Sequence, residues 1–133
     1  MSELNPELKS ALSLSRFLPV IERTKTAYIV WIVIHGNLPR TQRFGIGAKI
    51  DGAWLDLLEA LRKAEFAKPT TKVAFLEQAL GHSDTLRFFL QLAWESKLIH
   101  TTQFSVLAKD VEEIGRMVGN WYRSMVAKTT PRS

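Results

Sequence analysis

The residue types that usually carry catalysis are few in this sequence, and none of them forms an active-site pattern. The three histidines, His35, His82 and His100, lie on separate segments without metal-ligand spacing, and no Glu-x-x-His pair of the di-iron type occurs. The absence of cysteine excludes disulfides, thiolate nucleophiles and cysteine metal sites. Gly45-Ile46-Gly47 is too short for a phosphate-binding loop, and we expect it to allow close packing at the start of a helix. We therefore expect a binding protein that is not an enzyme and uses no metal or other cofactor.

Basic residues offer a different chemistry, the binding of polyanions. The chain has 18 lysines and arginines against 13 acidic residues, which gives a net charge of +5. The excess is concentrated in two places. Residues 16–49 contain six basic residues and one carboxylate, that of Glu22, and residues 116–133 contain four basic residues and no acid. This balance favours a partner such as RNA or DNA.

Three arginines stand out within this pattern. Arg116 and Arg123 are seven residues apart and therefore share one face of a helix. They form either a solvated surface or a basic ridge that contacts phosphates. Arg87 lies inside the apolar run of residues 86–90, where it either points into solvent or projects from an apolar surface toward a partner.

Four amphipathic helices are predicted to position these residues. They span residues 19–35, 40–66, 70 or 71 to 96, and 102–127. A first-turn proline and the pair Gly36-Asn37 mark the two ends of the first helix. The last helix carries an uninterrupted apolar ladder, formed by Leu107, Val111, Ile114, Val118, Trp121 and Met125. Short connections between such helices predict an all-α, antiparallel, up-down-up-down four-helix bundle.

The first predicted helix is apolar on more than one side. Trp31 belongs to its main stripe, whereas Val30 and Val33 make the opposite side apolar as well. Because the outer side of a bundle helix normally faces solvent, this pattern predicts a surface between subunits. The β-branched run at residues 29–34 is also compatible with a strand. We favour the helix because no partner strand is found elsewhere in the sequence.

Two glycines, Gly115 and Gly119, lie one turn apart in the last predicted helix. In a soluble helix each glycine costs about 1 kcal/mol relative to alanine. We expect a compensating contact, and the close approach of another helix or backbone segment is the simplest one.

The bundle is predicted to form a single domain between two short tails. Residues 1–16 are expected to form a tail or a short capping helix, residues 17–127 the bundle, and residues 128–133 a C-terminal tail. No secretory signal is visible, and no apolar run approaches the roughly 20 residues that a membrane span requires. We therefore expect a cytoplasmic protein.

Three segments of the sequence resemble one known family. They are residues 38–47, residues 86–90 and the Gly-Arg-x-x-Gly-x-Trp pattern within residues 113–121. Together they resemble the accessory variability determinant (Avd) proteins of diversity-generating retroelements. The resemblance extends from about Phe17 to Ala127, and the Gly-Arg-x-x-Gly-x-Trp pattern is its most distinctive part.

The resemblance implies a fold, an assembly and a function. Avd proteins form homopentameric, positively charged barrels of four-helix bundles, bind the reverse transcriptase of the retroelement and nucleic acid, and support the mutagenic copying of template RNA into cDNA without catalytic activity. By the motif matches, Arg87 and Arg116 are expected to contact the polymerase or nucleic acid, and Gly115, Gly119 and Trp121 are expected packing positions. The clustered basic residues add Arg40, Arg43 and Arg123 to the expected binding residues, and the first helix adds Trp31 to the expected packing or interface residues. Gln91 stands where this family leads us to expect a second arginine, which thins the basic surface there.

Two other interpretations remain open at this stage. Residues 38–47 also resemble four-helix-bundle proteins encoded in ribosomal RNA intervening sequences, which implies association with ribosomal RNA. A metal- or haem-holding bundle enzyme is supported by the analogy of fold alone.

Overall fold

The computed structural model describes residues 18–130, which form four long helices and one short helix. The predicted N-terminal segment of residues 1–16 lies outside the described residues, as do residues 131–133. No strand occurs within residues 18–130, and the β-branched run at residues 29–34 is helical. In chain order the helices are α1 (Leu18–Gly36), α2 (Arg40–Phe44), α3 (Ile46–Phe66), α4 (Pro69–Glu95) and α5 (Thr101–Thr129).

The long helices pack side by side around one core. Helix α3 packs along α4, α4 packs along α5, and α1 lies against both α5 and α3, while α2 contacts α3. The largest fully buried side chains are those of Trp31, Trp54 and Trp121, one from each of α1, α3 and α5. The predicted all-α bundle is therefore confirmed at the level of an all-helical fold.

The apolar ladder of α5 is the part of the core that the sequence predicts best. Every one of its six residues is buried, from Leu107 to Met125. Helix α4 contributes five buried apolar side chains to the core, those of Leu76, Ala79, Leu86, Leu90 and Ala93. The aromatic side chains of Phe75 and Phe89 lie at the edge of the core and are partly buried.

The second predicted helix is interrupted, which corrects the prediction of one continuous helix over residues 40–66. Gly45 separates α2 from α3 with backbone angles of φ −95° and ψ −111°, outside the helical region. Two residues later, Gly47 is buried against α1 and α2. A Cβ atom at Gly47 would lie 2.8 Å from the carbonyl oxygen of Gln42 and 2.9 Å from the His35 ring. The expected close packing at the Gly45-Ile46-Gly47 segment is confirmed at Gly47.

The corner between α3 and α4 is short. Helix α4 begins at Pro69, just before the predicted start at residue 70 or 71, and a first-turn proline needs no backbone donor. The ammonium group of Lys72 donates hydrogen bonds to the carbonyl oxygens of Ala64 and Glu65, each at 2.7 Å. It satisfies acceptors that the last turn of α3 leaves without helical partners. Burial of this ammonium lowers the pKa of Lys72, and the charge of Glu65 opposes that shift.

Candidate nucleic-acid interface

A row of positive charges lies on the outer side of α5. Arg116 and Arg123 are both exposed, as their seven-residue spacing predicts for one helix face. Lys109 is exposed too and precedes Arg116 by seven residues, so it extends the row by two turns. We call Lys109, Arg116 and Arg123 the α5 basic row. Sequence reasoning missed Lys109, although the same seven-residue spacing could have identified it.

Arg87 joins this row from the neighbouring helix. A cleft of about 210 Å³ lies between α4 and α5, and both Arg87 and Arg116 line it. We call it the α4–α5 cleft. Its remaining lining residues are Leu80, Ser83, Asp84, Val111, Glu112 and Gly115. Two of the predicted binding residues, which are distant in sequence, are thus brought to one place by the packing of two helices.

The two glycines of α5 differ in what surrounds them. A Cβ atom at Gly115 would lie 3.3 Å from the hydroxyl oxygen of Ser83 on α4, so this glycine lets α4 approach closely. At Gly119 the three nearest atoms all belong to the guanidinium group of Arg123 on the same helix. The expected approach of another helix is therefore found at Gly115, whereas Gly119 makes room for a basic side chain of its own helix.

Local partners hold the arginines in place. The guanidinium of Arg87 lies 3.3 Å from a carboxylate oxygen of Asp84, three residues earlier on α4. On α5, Arg116 pairs with Glu113 and Arg123 donates to the side-chain oxygen of Asn120. Exposed pairs at this spacing contribute only about 0.2–0.5 kcal/mol each. The three guanidinium groups can therefore exchange these partners for a ligand at little cost.

Arg40 and Arg43 lie apart from the cleft. Both are exposed on α2, and the guanidinium of Arg40 lies 6.0 Å from the centre of the Phe44 ring. Neither residue lines the α4–α5 cleft. The five arginines predicted to bind a partner are thus divided between α2 and the surface formed by α4 and α5.

A cluster of polar and aromatic side chains fastens α2 and α1 to α3. Tyr28 and Trp31 of α1 donate hydrogen bonds to a carboxylate oxygen of Asp51 on α3, at 2.9 and 3.3 Å. The His35 ring stacks on Trp31, with ring centres 5.3 Å apart. Its Nε2 lies 3.3 Å from the carbonyl oxygen of Arg43, and its Nδ1 lies 4.0 Å from the Asp51 carboxylate. His35 therefore has a structural role at the base of α2.

An apolar surface covers the outer side of α1. Ile29 and Val33 are 62% and 63% exposed, and Val30 and Ile32 are exposed beside them. A groove of about 450 Å³ continues this surface onto the start of α5, where Val106 takes part in its lining. The predicted second apolar side of this helix is therefore present and faces outward. We call Ile29, Val30, Ile32 and Val33 the α1 apolar face.

The predicted packing tryptophans lie inside the molecule. Trp31 and Trp121 are both fully buried in the core formed by the long helices. Within residues 18–130, no group of three or more histidine, aspartate or glutamate side chains is arranged to hold a metal ion. None of the helices in that range is both long enough and apolar enough to span a membrane.

Comparison with known proteins identifies a solved structure with a similar fold. No family model matches the sequence, and no curated protein matches it. Among solved structures, the chain is similar to the crystal structure of a protein of unknown function from the S23 ribosomal protein family of Bacteroides thetaiotaomicron. The two superpose with a TM-score of 0.75 at 17% sequence identity, over 80% of this chain and 97% of the other. At this identity the similarity establishes a shared helical-bundle fold and nothing finer.

Proposed function

We propose that this chain is a non-catalytic accessory protein that binds nucleic acid and the reverse transcriptase of a diversity-generating retroelement, and so supports mutagenic copying of template RNA into cDNA. The observation that carries the nucleic-acid part is the meeting of Arg87 and Arg116 at the α4–α5 cleft, beside the α5 basic row. The polymerase part is supported by the resemblance of residues 86–90 and 113–121 to Avd proteins.

The same proposal includes an assembly. We take the bundle to be antiparallel, up-down-up-down, and to associate into a homopentameric barrel. The α1 apolar face supports contact between copies, because an outward-facing patch of four β-branched apolar side chains on one helix is typical of an interface. A ring of copies would repeat each basic surface several times around the barrel, which favours binding of a long polyanion.

Binding of RNA is expected to depend on the α5 basic row. Each phosphate contact releases counterions, so the affinity for a single-stranded RNA should fall steeply between about 50 and 200 mM salt. Replacing both Arg116 and Arg123 with glutamate should weaken binding by at least tenfold at low salt and reduce the salt dependence. Fluorescence anisotropy of a labelled RNA measures the affinity, and circular dichroism checks that the helical content is unchanged.

A matched control separates this surface from net charge. Arg62 and Lys68 are exposed and lie on α3 and just before α4, outside the cleft. Their replacement with glutamate changes the net charge by the same amount as the Arg116 and Arg123 pair does. The control variant should bind RNA more tightly than the Arg116 and Arg123 variant. Equal losses in the two variants, or an affinity that does not respond to salt, would contradict the proposed surface.

Ribosomal RNA is a second candidate partner. It is favoured by the structural similarity to a protein of the S23 ribosomal protein family and by the resemblance of residues 38–47 to intervening-sequence proteins. The two proposals predict different molecules bound to the purified protein. A reverse transcriptase encoded beside this gene should co-purify with the chain under the first proposal. Retention of ribosomal RNA without the polymerase would favour the second.

A further inference from the structure

The α4–α5 cleft differs from the rest of the basic surface because two helices contribute guanidinium groups to it. Arg87 lines it from α4 and Arg116 from α5, and its volume of about 210 Å³ is large enough for a phosphate group and a few water molecules. A guanidinium presents its donors as a planar fork that matches two oxygens of one phosphate. Two such forks that converge can hold one phosphate from both sides.

Two small residues meet in the lining of the cleft, one from each helix. Ser83, which is 5% exposed, and Gly115 both line it. A Cβ atom at Gly115 would come within 3.3 Å of the Ser83 hydroxyl oxygen, a distance tighter than ordinary van der Waals contact. The glycine therefore keeps the cleft open to a depth that any larger residue would reduce.

The charges of the cleft indicate which kind of phosphate it suits. Asp84 and Glu112 line it together with the two arginines, so its net charge is close to zero. A free anion would gain little from long-range attraction there. A phosphate on a strand already held by the α5 basic row arrives at a high effective concentration, because Arg116 belongs to both the row and the cleft. The affinity of the cleft for that phosphate then depends on directional hydrogen bonds from the two guanidinium groups.

We propose that the α4–α5 cleft is an anchoring subsite for one backbone phosphate of a bound nucleic-acid strand, gripped from two sides by Arg87 and Arg116. This inference rests on the proposed binding of nucleic acid. It assigns to Arg87 a geometric role, whereas Lys109 and Arg123 act as point charges that attract the strand. The cleft fixes the strand on the protein, and the row only concentrates it nearby.

Lysine substitutions distinguish a geometric role from a point charge. Lysine keeps the positive charge and loses the fork. Arg87→Lys should therefore weaken binding of a labelled single-stranded RNA by about tenfold, nearly as much as Arg87→Ala does. At Arg123 the lysine variant should bind clearly more tightly than the alanine variant, because lysine retains the point charge that alanine removes. Fluorescence anisotropy at one fixed salt concentration compares all four variants.

Alanine at two glycines tests the shape of the cleft. Both substitutions raise helix propensity equally. Gly115→Ala should weaken RNA binding by reducing the depth of the cleft, whereas Gly81→Ala on α4, outside the cleft, should not, since its Cβ would meet nothing within 4 Å. Melting temperatures of both variants check that the fold is retained.

The outcomes separate this inference from the function on which it rests. RNA binding that is unchanged by Arg87→Lys and by Gly115→Ala would overturn the anchoring subsite and leave the proposed function standing. A wild-type chain that binds no RNA at low salt would overturn both.

Discussion

Asp51 shows how much one side chain can organise in this molecule. Its carboxylate accepts hydrogen bonds from Tyr28 and Trp31 and faces His35, so three residues of α1 meet on one residue of α3. Burial, and then the hydrogen bond to Asp51 and its negative charge, raise the pKa of Tyr28 from 10.0 to about 12. The folded chain therefore favours the protonated phenol. This contribution to stability is complete below pH 10 and is lost as the pH rises toward 12.

Substitution of Tyr28 with phenylalanine tests this contribution. The Tyr28→Phe variant should be less stable than the original chain by about 1 kcal/mol at neutral pH, because one hydrogen bond to Asp51 is lost. The difference between the two proteins should shrink as the pH rises from 10 toward 12. Urea unfolding across this range measures both effects, with Tyr122→Phe on α5 as the control. A constant difference at all pH values would contradict the assigned role of Tyr28.

For single residues, the sequence identifies candidate core and binding side chains better than it identifies the residues they contact. The stripe of the first helix places Trp31 on its inner side, and Trp31 is buried there. Asp51 had no predicted role, because its contacts join different helices and follow no spacing of three or four residues. The same limit applies to Arg87 and Arg116. Both were named from the sequence, but their meeting at one cleft depends on how two helices are rotated about their axes.

The main difference between the predicted and the observed helices is the break between α2 and α3. Leu38-Pro39 and the periodic residues after it favoured one helix to residue 66, and the pattern contains no proline that would interrupt it. The interruption lies at Gly45, whose backbone angles leave the helical region. Gly47 lets the His35 ring and the carbonyl of Gln42 come close to the α3 backbone. The glycines of residues 45–47 indicated close packing there, but helix periodicity alone could not predict that the helix breaks.

Alanine at two glycines of α3 should have opposite effects. A Cβ atom at Gly47 would lie within 2.9 Å of both α1 and α2, so Gly47→Ala should destabilise the fold by about 1–3 kcal/mol. A Cβ atom at Gly52 would meet nothing within 4 Å, so Gly52→Ala should stabilise it by about 0.5–1 kcal/mol through helix propensity alone. Thermal unfolding of the two variants provides the comparison. Stabilisation of both variants would contradict the prediction, because it would show that the fold accommodates a Cβ atom at Gly47 without losing stability.

At the scale of the whole molecule, the outer side of α1 is divided along its length. Its first half carries exposed polar residues such as Lys25 and Thr26, and its second half carries the α1 apolar face. The sequence predicted this excess of apolar surface and the all-helical fold, because both follow from periodicity and composition. It could not give the number of copies, which depends on the angle at which two such faces meet.

A charge placed on the apolar face should separate the copies. Val33→Glu would put a carboxylate at the centre of the proposed contact, where burial without a partner is costly. The original chain should sediment as an oligomer, and the variant should shift toward the mass of a single chain. Thr26→Glu introduces the same charge on the same side of α1 outside the apolar face, and it should leave the mass unchanged. A single-chain mass for the original protein at every concentration would rule out this interface.

The distribution of tryptophan gives the protein a built-in optical reporter. Trp31, Trp54 and Trp121 are fully buried, whereas Trp94 is 37% exposed at the end of α4 and stacks on Phe104 with ring centres 4.7 Å apart. Light emitted by the first three residues reports on the interior and is shielded from dissolved quenchers. The emission that a dissolved quencher can reduce therefore comes mainly from Trp94, in the last turn of α4. Fluorescence can therefore register events at this end of the molecule without any attached dye.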